Sequence, residues 1–255
     1  MTSSVDKNLD LNVDSNVDNN IDKNVDKNVD SAEVNKFDEL ARKWWDPNSE
    51  FKPLHDINPL RLDYILSRAT LAGARVLDVG CGGGILTEAL AQSGAEVTGI
   101  DMAPKPLQVA KLHRFESELE IEYLQSTVED YADQHPGEFD VVTCLEMLEH
   151  VPSPDSVIEA CQRLLKPDGQ LFLSTINRNP KAYGLMVLGA EYVLNMLPRG
   201  THDYQKFIKP SELATSLRKH RFELKDISGM TYNPITRRYS LGRDTDVNYL
   251  IHATR

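Results

Sequence analysis

The apolar positions of this chain switch between two periods, and the switching lays out a fold. Val76, Leu77 and Val79 form a short apolar run that stops at Gly80; Ile85, Leu86, Ala89 and Leu90 then recur at helical spacing, which predicts a strand, a tight turn and a helix. Glu96 to Ile100 is a second strand. Leu62, Ile65, Leu66 and Ala69 mark a helix leading into the first strand, and Pro106 to Phe115 a helix following the second. Ile121 to Leu124 and Phe139 to Cys144 are further strands, and Ser153 with Pro154 supplies a cap and first turn for a helix through Leu165. Gly169 opens a strand over Gln170 to Thr175, Ser211 to Lys219 is helical, and Phe222 to Ile227 and Val247 to Ala253 alternate as strands. Seven strands with interleaved helices predict an α/β fold built on a doubly wound, seven-stranded, mostly parallel sheet. In such sheets ligands bind beyond the carboxyl ends of the strands.

Two segments break the pattern. From Ser4 to Ser31 the chain is seven tandem tetrapeptides of the form Asn-(Val/Ile/Leu)-Asp-x. One small apolar residue in four cannot repay chain entropy, so residues 1–31 are expected to be a disordered tail and residues 32–255 one folded domain. Residues 178–209, between the fifth strand and the next helix, are too long for an ordinary connection. Within them Tyr183 to Leu197 reads YGLMVLGAEYVLNML, apolar nearly all round. As a helix it reaches about 22 Å, short of the roughly 30 Å of a bilayer core, so it cannot span. Arg178, Lys181, Arg199, Lys206 and Lys209 outnumber Glu191 and Asp203 around it. The expectation is a helical insertion that acts as a lid and touches an anionic membrane surface.

Charge and cysteine content narrow the class. A net charge of −11 disfavours nonspecific nucleic-acid binding. Cys81, Cys144 and Cys161 are odd in number and lack paired metal spacing, which points to reduced thiols and a cytoplasmic setting. The start lacks the positive, apolar pattern of a signal peptide, and no apolar run reaches the 18 or so residues of a spanning helix.

Candidate chemistry gathers at the strand ends. Asp78, Gly80, Gly82 and Gly84 alternate, removing side chains where a backbone approaches a ligand. Asp101, about 20 residues past the turn, is placed to accept hydrogen bonds from both hydroxyls of a ribose. A dinucleotide fingerprint counted from Gly80 would need its third glycine at position 85, where Ile85 stands, which weighs against a nicotinamide or flavin site. The pattern from Asp78 to Gly84 instead resembles motif I of the class I S-adenosylmethionine-dependent methyltransferases. After the fourth strand come Glu146, Glu149 and His150, at i, i+3 and i+4. On a helical turn they share one face, giving either two carboxylates and an imidazole for a divalent ion or a base with its orienting carboxylate.

Five blocks extend the resemblance: FKPLHDINPLRLDYI, VLDVGCGGGIL, FDVVTCLEMLEHVPSPDSV, GTHDYQKFIKP and YNPITRRYSLGRDTDVNYLIH. Together, over about residues 33 to 254, they resemble the ubiquinone-biosynthesis O-methyltransferases. The resemblance implies a Rossmann-like class I methyltransferase that moves a methyl group from S-adenosylmethionine to catechol-type hydroxyls of polyprenylated ubiquinone precursors, at both O-methylation steps. By it Arg61, Gly80, Asp101 and Leu145 stand at cofactor-contact positions, and Asp78, Gly82, Met102 and Val128 complete the expected cofactor set. Glu146, Glu149 and His150 match metal positions, with Mg²⁺ as the type of ion, and form the expected catalytic group. The implied partners are a polyprenylated catechol or quinol, an anionic membrane surface met through 178–209 and other ubiquinone-biosynthesis proteins, with no nucleic acid. The implied location is cytoplasmic, peripheral to the inner membrane.

Two departures from the wider superfamily stand out. Lys166, Pro167, Asp168 and Gly169 replace its common K-P-G-G turn and still serve as a turn. Ser126, Thr127, Val128 and Glu129 replace an acid-plus-alanine adenine signature, leaving adenine to the Val128 backbone and Leu145 packing. A phenol with a pKa near 10 is only about one part in a thousand phenolate at neutral pH, so the attacking oxygen needs help from an ion or from His150. His202 is a second base candidate. The alternatives are a methyltransferase for another small phenol or an amine, and a noncatalytic cofactor-binding scaffold subunit.

Overall fold

The computed structural model describes residues 27–184 and 203–255. Its centre is one sheet built from β1 (Arg75–Val79), β2 (Glu96–Asp101), β3 (Glu122–Gln125), β4 (Phe139–Leu145), β5 (Leu165–Ile176), β6 (Glu223–Asn233), β7 (Arg238–Gly242) and β8 (Asn248–Thr254). The order is β3-β2-β1-β4-β5-β8-β6-β7. The first five strands are parallel, β8 runs antiparallel between β5 and β6, and β7 returns antiparallel along β6. The order reverses between β1 and β4, which opens a crevice at their carboxyl ends.

Each strand sends alternate side chains to opposite faces. Leu77 and Val79 join Ile158, Leu164 and Leu213 on one face, whereas Val76 joins Ile65, Leu86 and Leu90 on the other. The first face is covered by α5 (Val128–Gln134), α6 (Pro154–Leu164) and α7 (Pro210–Lys219), the second by α2 (Lys52–Leu66) and α3 (Ile85–Gln92). A further helix, α4 (Pro104–Glu116), closes over β3.

The sheet has eight strands where the sequence predicts seven. The addition is β7, whose RYSLG offers only Tyr239 and Leu241 to the core, too few apolar positions to register as a strand. The expected turn at Lys166–Gly169 is absorbed into β5. There Asp168 takes a left-handed φ of 62° and the pairing with β4 slips between Phe139 and Val141. The acidic α5 carries only a short apolar stripe, Val128, Tyr131 and Ala132, and is capped by Thr127 Oγ1 accepting from Asp130 N.

The tail boundary also moves. Residues 1–26 lie outside the described residues, but the last repeat unit is part of the folded body. Asp30 caps α1 (Ser31–Leu40) by accepting from Ala32 N and Glu33 N, and Asn28 donates to Glu129 Oε1 and to the carbonyl of Ser153. The same Asx chemistry that disfavours helix interiors makes Asp30 a good cap. Residues 185–202 also lie outside the described residues. With them go His202 and nearly all of the helix expected over Tyr183–Leu197. At the two ends of that insertion, Ala182 and Phe207 pack with Ile176. No described helix is long and apolar enough to cross a membrane.

Candidate cofactor and catalytic site

The glycine turn between β1 and α3 is fixed from below by Asp78, which is buried and accepts from Thr87 Oγ1 and Thr143 Oγ1, both at 2.7 Å. Burial pushes its carboxyl up to about 6, against the pull of the two hydroxyls and of Arg61. The glycines owe their smallness partly to the protein itself. A Cβ on Gly82, whose φ is 53°, would lie 2.1 Å from the Trp44 ring, and one on Gly80, with φ 72°, 2.6 Å from Met147. Trp45 donates its indole N–H to the carbonyl of Gly83. Two adjacent tryptophans thus grip the turn. At the end of β2 Asp101 accepts from Gly82 N and Ala103 N, each at 2.8 Å; burial raises its pKa while these bonds hold it down. Each oxygen keeps a lone pair for a further donor.

Beyond the turn lies a pocket with about 1190 Å³ of open space, counted out to its mouth. Arg61, Asp78, Gly80 and Gly82 line one end, and Asp101, Met102, Val128 and Leu145 continue its wall, so all eight expected cofactor positions meet there. Arg61 is the most demanding of them. The residue is 5% exposed, yet its Nε and Nη2 find no hydrogen-bond acceptor among the described residues. Glu146 Oε1 is 3.2 Å from Nη2, close enough for attraction but outside hydrogen-bond geometry. A buried cation with idle donors beside a cavity calls for an anionic group on the occupant.

Glu146, Glu149 and His150 take a different arrangement from the shared face expected of them. Glu146 leaves β4 with φ 54°, and Leu148–His150 is a single 3₁₀ turn, so the i, i+3, i+4 argument for an α-helix does not apply. Glu146 Oε1 accepts from Ser174 Oγ at 2.7 Å, and both its oxygens face Asn248 Nδ2. Glu149 is buried beneath the turn, where its Oε2 accepts from Thr175 Oγ1 at 2.8 Å; burial and the charge of Glu146 push it up to about 7. His150 turns to α1, with Nδ1 3.1 Å from Glu33 Oε2. Burial opposes its charge, but the Glu33 bond and the carboxylates of Glu149 and Glu146 outweigh that and raise its pKa. No three His, Cys, Asp or Glu side chains among the described residues form a metal-holding group. The expected metal ligands do not fit an ion as they stand.

A model of the methyltransferase domain family matches residues 77–173. The ubiquinone biosynthesis O-methyltransferase of Dechloromonas aromatica is 64% identical over 224 residues, 88% of this chain and 97% of that protein. The chain belongs to the ubiquinone-biosynthesis O-methyltransferases. The protein of that name from Marinobacter nauticus is 62% identical over 87% of this chain and 94% of its own. Among solved structures, magnesium protoporphyrin IX methyltransferase from Synechocystis PCC 6803 with bound S-adenosylhomocysteine aligns with a TM-score of 0.65 at 22% identity, covering 87% and 94% of the two chains. A possible histamine N-methyltransferase from Thermotoga maritima gives 0.64 at 17%, covering 87% and 99%. These two show the fold. The cofactor of this O-methyltransferase is S-adenosylmethionine, and the idle Arg61 donors and the glycine cradle fit its charged methionine end.

The methyltransferase site also holds residues that sequence reasoning missed. Glu33 and Phe37 of α1 reach it across more than a hundred positions, and Trp44 covers the glycine turn. The one signal available was that both tryptophans of the chain stand side by side just ahead of the first long helix.

Proposed function

We propose that this chain transfers the methyl group of S-adenosylmethionine to catechol-type hydroxyls of polyprenylated ubiquinone precursors, at both O-methylation steps. The observation that carries the reading is that His150 stands in the wall of the same pocket as the glycine turn and Arg61. S-adenosylmethionine supplies a methyl group on a positively charged sulfur. Arg61 Nε and Nη2 take its carboxylate, Asp101 its ribose hydroxyls, and Val128 and Leu145 flank its adenine. Glu146, pinned by Ser174 and Asn248, lies 3.2 Å from Arg61 Nη2 and helps hold the guanidinium in place.

On the acceptor side His150 Nε2 removes the phenolic proton as the oxygen attacks. The new O–C bond forms while the C–S bond breaks, its electron pair returning to sulfur, and His150 passes the proton to water. Replacing His150 with Ala is expected to lower kcat by about 10²–10⁴-fold while S-adenosylmethionine affinity, read by calorimetry, stays unchanged. An undiminished kcat would remove His150 from the chemistry.

A prenylated substrate resides in lipid, and we propose that the enzyme meets it at the anionic cytoplasmic surface of the inner membrane. The charge supporting this is distributed differently from the sequence expectation. Arg178 pairs with Glu212, Lys181 with Asp244 and Asp246, and Lys206 with Asp30 and Glu33, so three of the five basic residues of 178–209 are engaged within the fold. The tip of the β6–β7 hairpin instead presents Ile235, 92% exposed, beside Arg237 and Arg238, which form no ion pair among the described residues. The insertion brings the apolar length and the hairpin unspent charge.

A further inference from the structure

The histidine read above as the base is gripped by a part of the chain far from its own strand. Glu33 lies in the first turn of α1, 8% exposed, with Oε2 3.1 Å from His150 Nδ1. One helical turn on, the Phe37 ring meets the imidazole edge-on at 5.2 Å. The other Glu33 oxygen is taken by Lys36 Nζ at 3.1 Å and Lys206 Nζ at 3.2 Å, and Lys206 also reaches Asp30 Oδ2 at 2.8 Å. Asn28 and Val29, just ahead of the helix, line the cofactor pocket, and Asn28 is anchored across it on Glu129 and Ser153. The segment from 27 to 40 is therefore both a wall of the cofactor pocket and the clamp on His150. The charged groups facing His150 are Glu33 from α1 and Glu149 and Glu146 from its own turn, with Lys36 and Lys206 behind Glu33.

We propose that Glu33 is the positioning residue for His150, so that docking of the 27–40 segment over the cofactor is what completes the acceptor side of the site. A carboxylate on Nδ1 fixes the tautomer with the proton on that nitrogen, leaving Nε2 as the lone pair directed away from α1. Phe37 blocks the rotation that would release it. Without the segment His150 loses its partner and its packing together. The base is thereby oriented only in the arrangement that also walls in S-adenosylmethionine, which limits proton removal to the charged complex. The proposal rests on His150 acting on the acceptor, and the test separates the two ideas.

The test compares Glu33→Ala, Glu33→Gln, His150→Ala and the double variant Glu33→Ala/His150→Ala of the full chain, by methyl transfer to a prenylated catechol and by S-adenosylmethionine binding in calorimetry. Glu33→Ala is expected to lower kcat by about 10–100-fold, with a smaller change in catechol KM and in cofactor affinity. Glu33→Gln, whose amide oxygen can still accept from Nδ1–H, recovers part of that loss. In the His150→Ala background Glu33→Ala adds nothing further, because the group it positions is gone. A His150→Ala enzyme with full kcat overturns the reading of the base. A crippled His150→Ala beside a fully active Glu33→Ala, or equal losses from Glu33→Ala in both backgrounds, overturns the role of Glu33 alone.

Discussion

Asp78 is held at the root of the glycine turn by hydroxyls from α3 and β4, and its carboxyl is pushed up to about 6 by burial. Its ordinary value is 3.8, so the folded chain keeps a proton that the unfolded chain has already released. Stability from this residue is therefore fully present below about pH 4 and declines as pH rises toward 6. Glu149, pushed up to about 7, adds the same sign. Glu33 and Asp155, pulled down to about 2 by their basic partners, have the opposite sign and act below their ordinary carboxylate range. From pH 4.5 to 6 these two are ionised in both states, while His252, its pKa lowered by burial, adds a rise of its own, so the contribution of Asp78 is read by comparison with a variant. In the cofactor-free protein, Asp78→Asn is expected to flatten the fall in unfolding free energy across that interval by about 2 kcal/mol, measured by urea denaturation at several pH values. Parallel curves for the two proteins would show that Asp78 is not held protonated. At this scale the sequence was legible where the motif is local: Asp78, Gly80, Gly82 and Asp101 all meet within one strand–turn–helix–strand unit. Glu33 was illegible because its contact with His150 spans 117 positions and begins next to a repeat with no structural period of its own.

Elements were legible in proportion to their apolar share. Strands β1 and β4 are buried on both faces and announce themselves as apolar runs, whereas β7 and α5 carry too few apolar positions to do so. The turn after β4 failed differently. Spacing alone placed Glu146, Glu149 and His150 on one face only if the turn was α-helical, and a positive φ at Glu146 followed by a 3₁₀ turn sends each to a separate partner. The same distinction between spacing and geometry governs the membrane reading. Counting basic residues in 178–209 overlooked that three of them are paired, while the hairpin tip was not counted at all. Sedimentation with vesicles containing anionic lipid is expected to carry the protein down at low salt and to lose it as salt rises. Arg237→Glu/Arg238→Glu should weaken that binding, and so should deletion of residues 185–202. Binding by both variants equal to that of the unaltered chain would contradict the proposed surface, and no binding by the unaltered chain would remove membrane contact altogether.

For the whole molecule, the doubly wound sheet gathers the cofactor-binding candidates around the carboxyl ends of its central strands. The carboxyl ends of β1, β2 and β4 present Asp78, Asp101 and Leu145 to one pocket, and the segment ahead of α2 folds back to close it. That architecture was readable from alternating strand and helix periods, because a parallel sheet needs both of its faces covered. How the N-terminal segment closes the pocket was not readable, since it depends on single contacts between distant parts of the chain. The direct measurement is incubation of the purified protein with methyl-labelled S-adenosylmethionine and a prenylated catechol, beside an aniline of matched shape, followed by product analysis. The expected result is label on the catechol oxygen with stoichiometric S-adenosylhomocysteine and none on the amine. Cofactor binding with no label transferred, or label on the amine nitrogen in preference to oxygen, would contradict it.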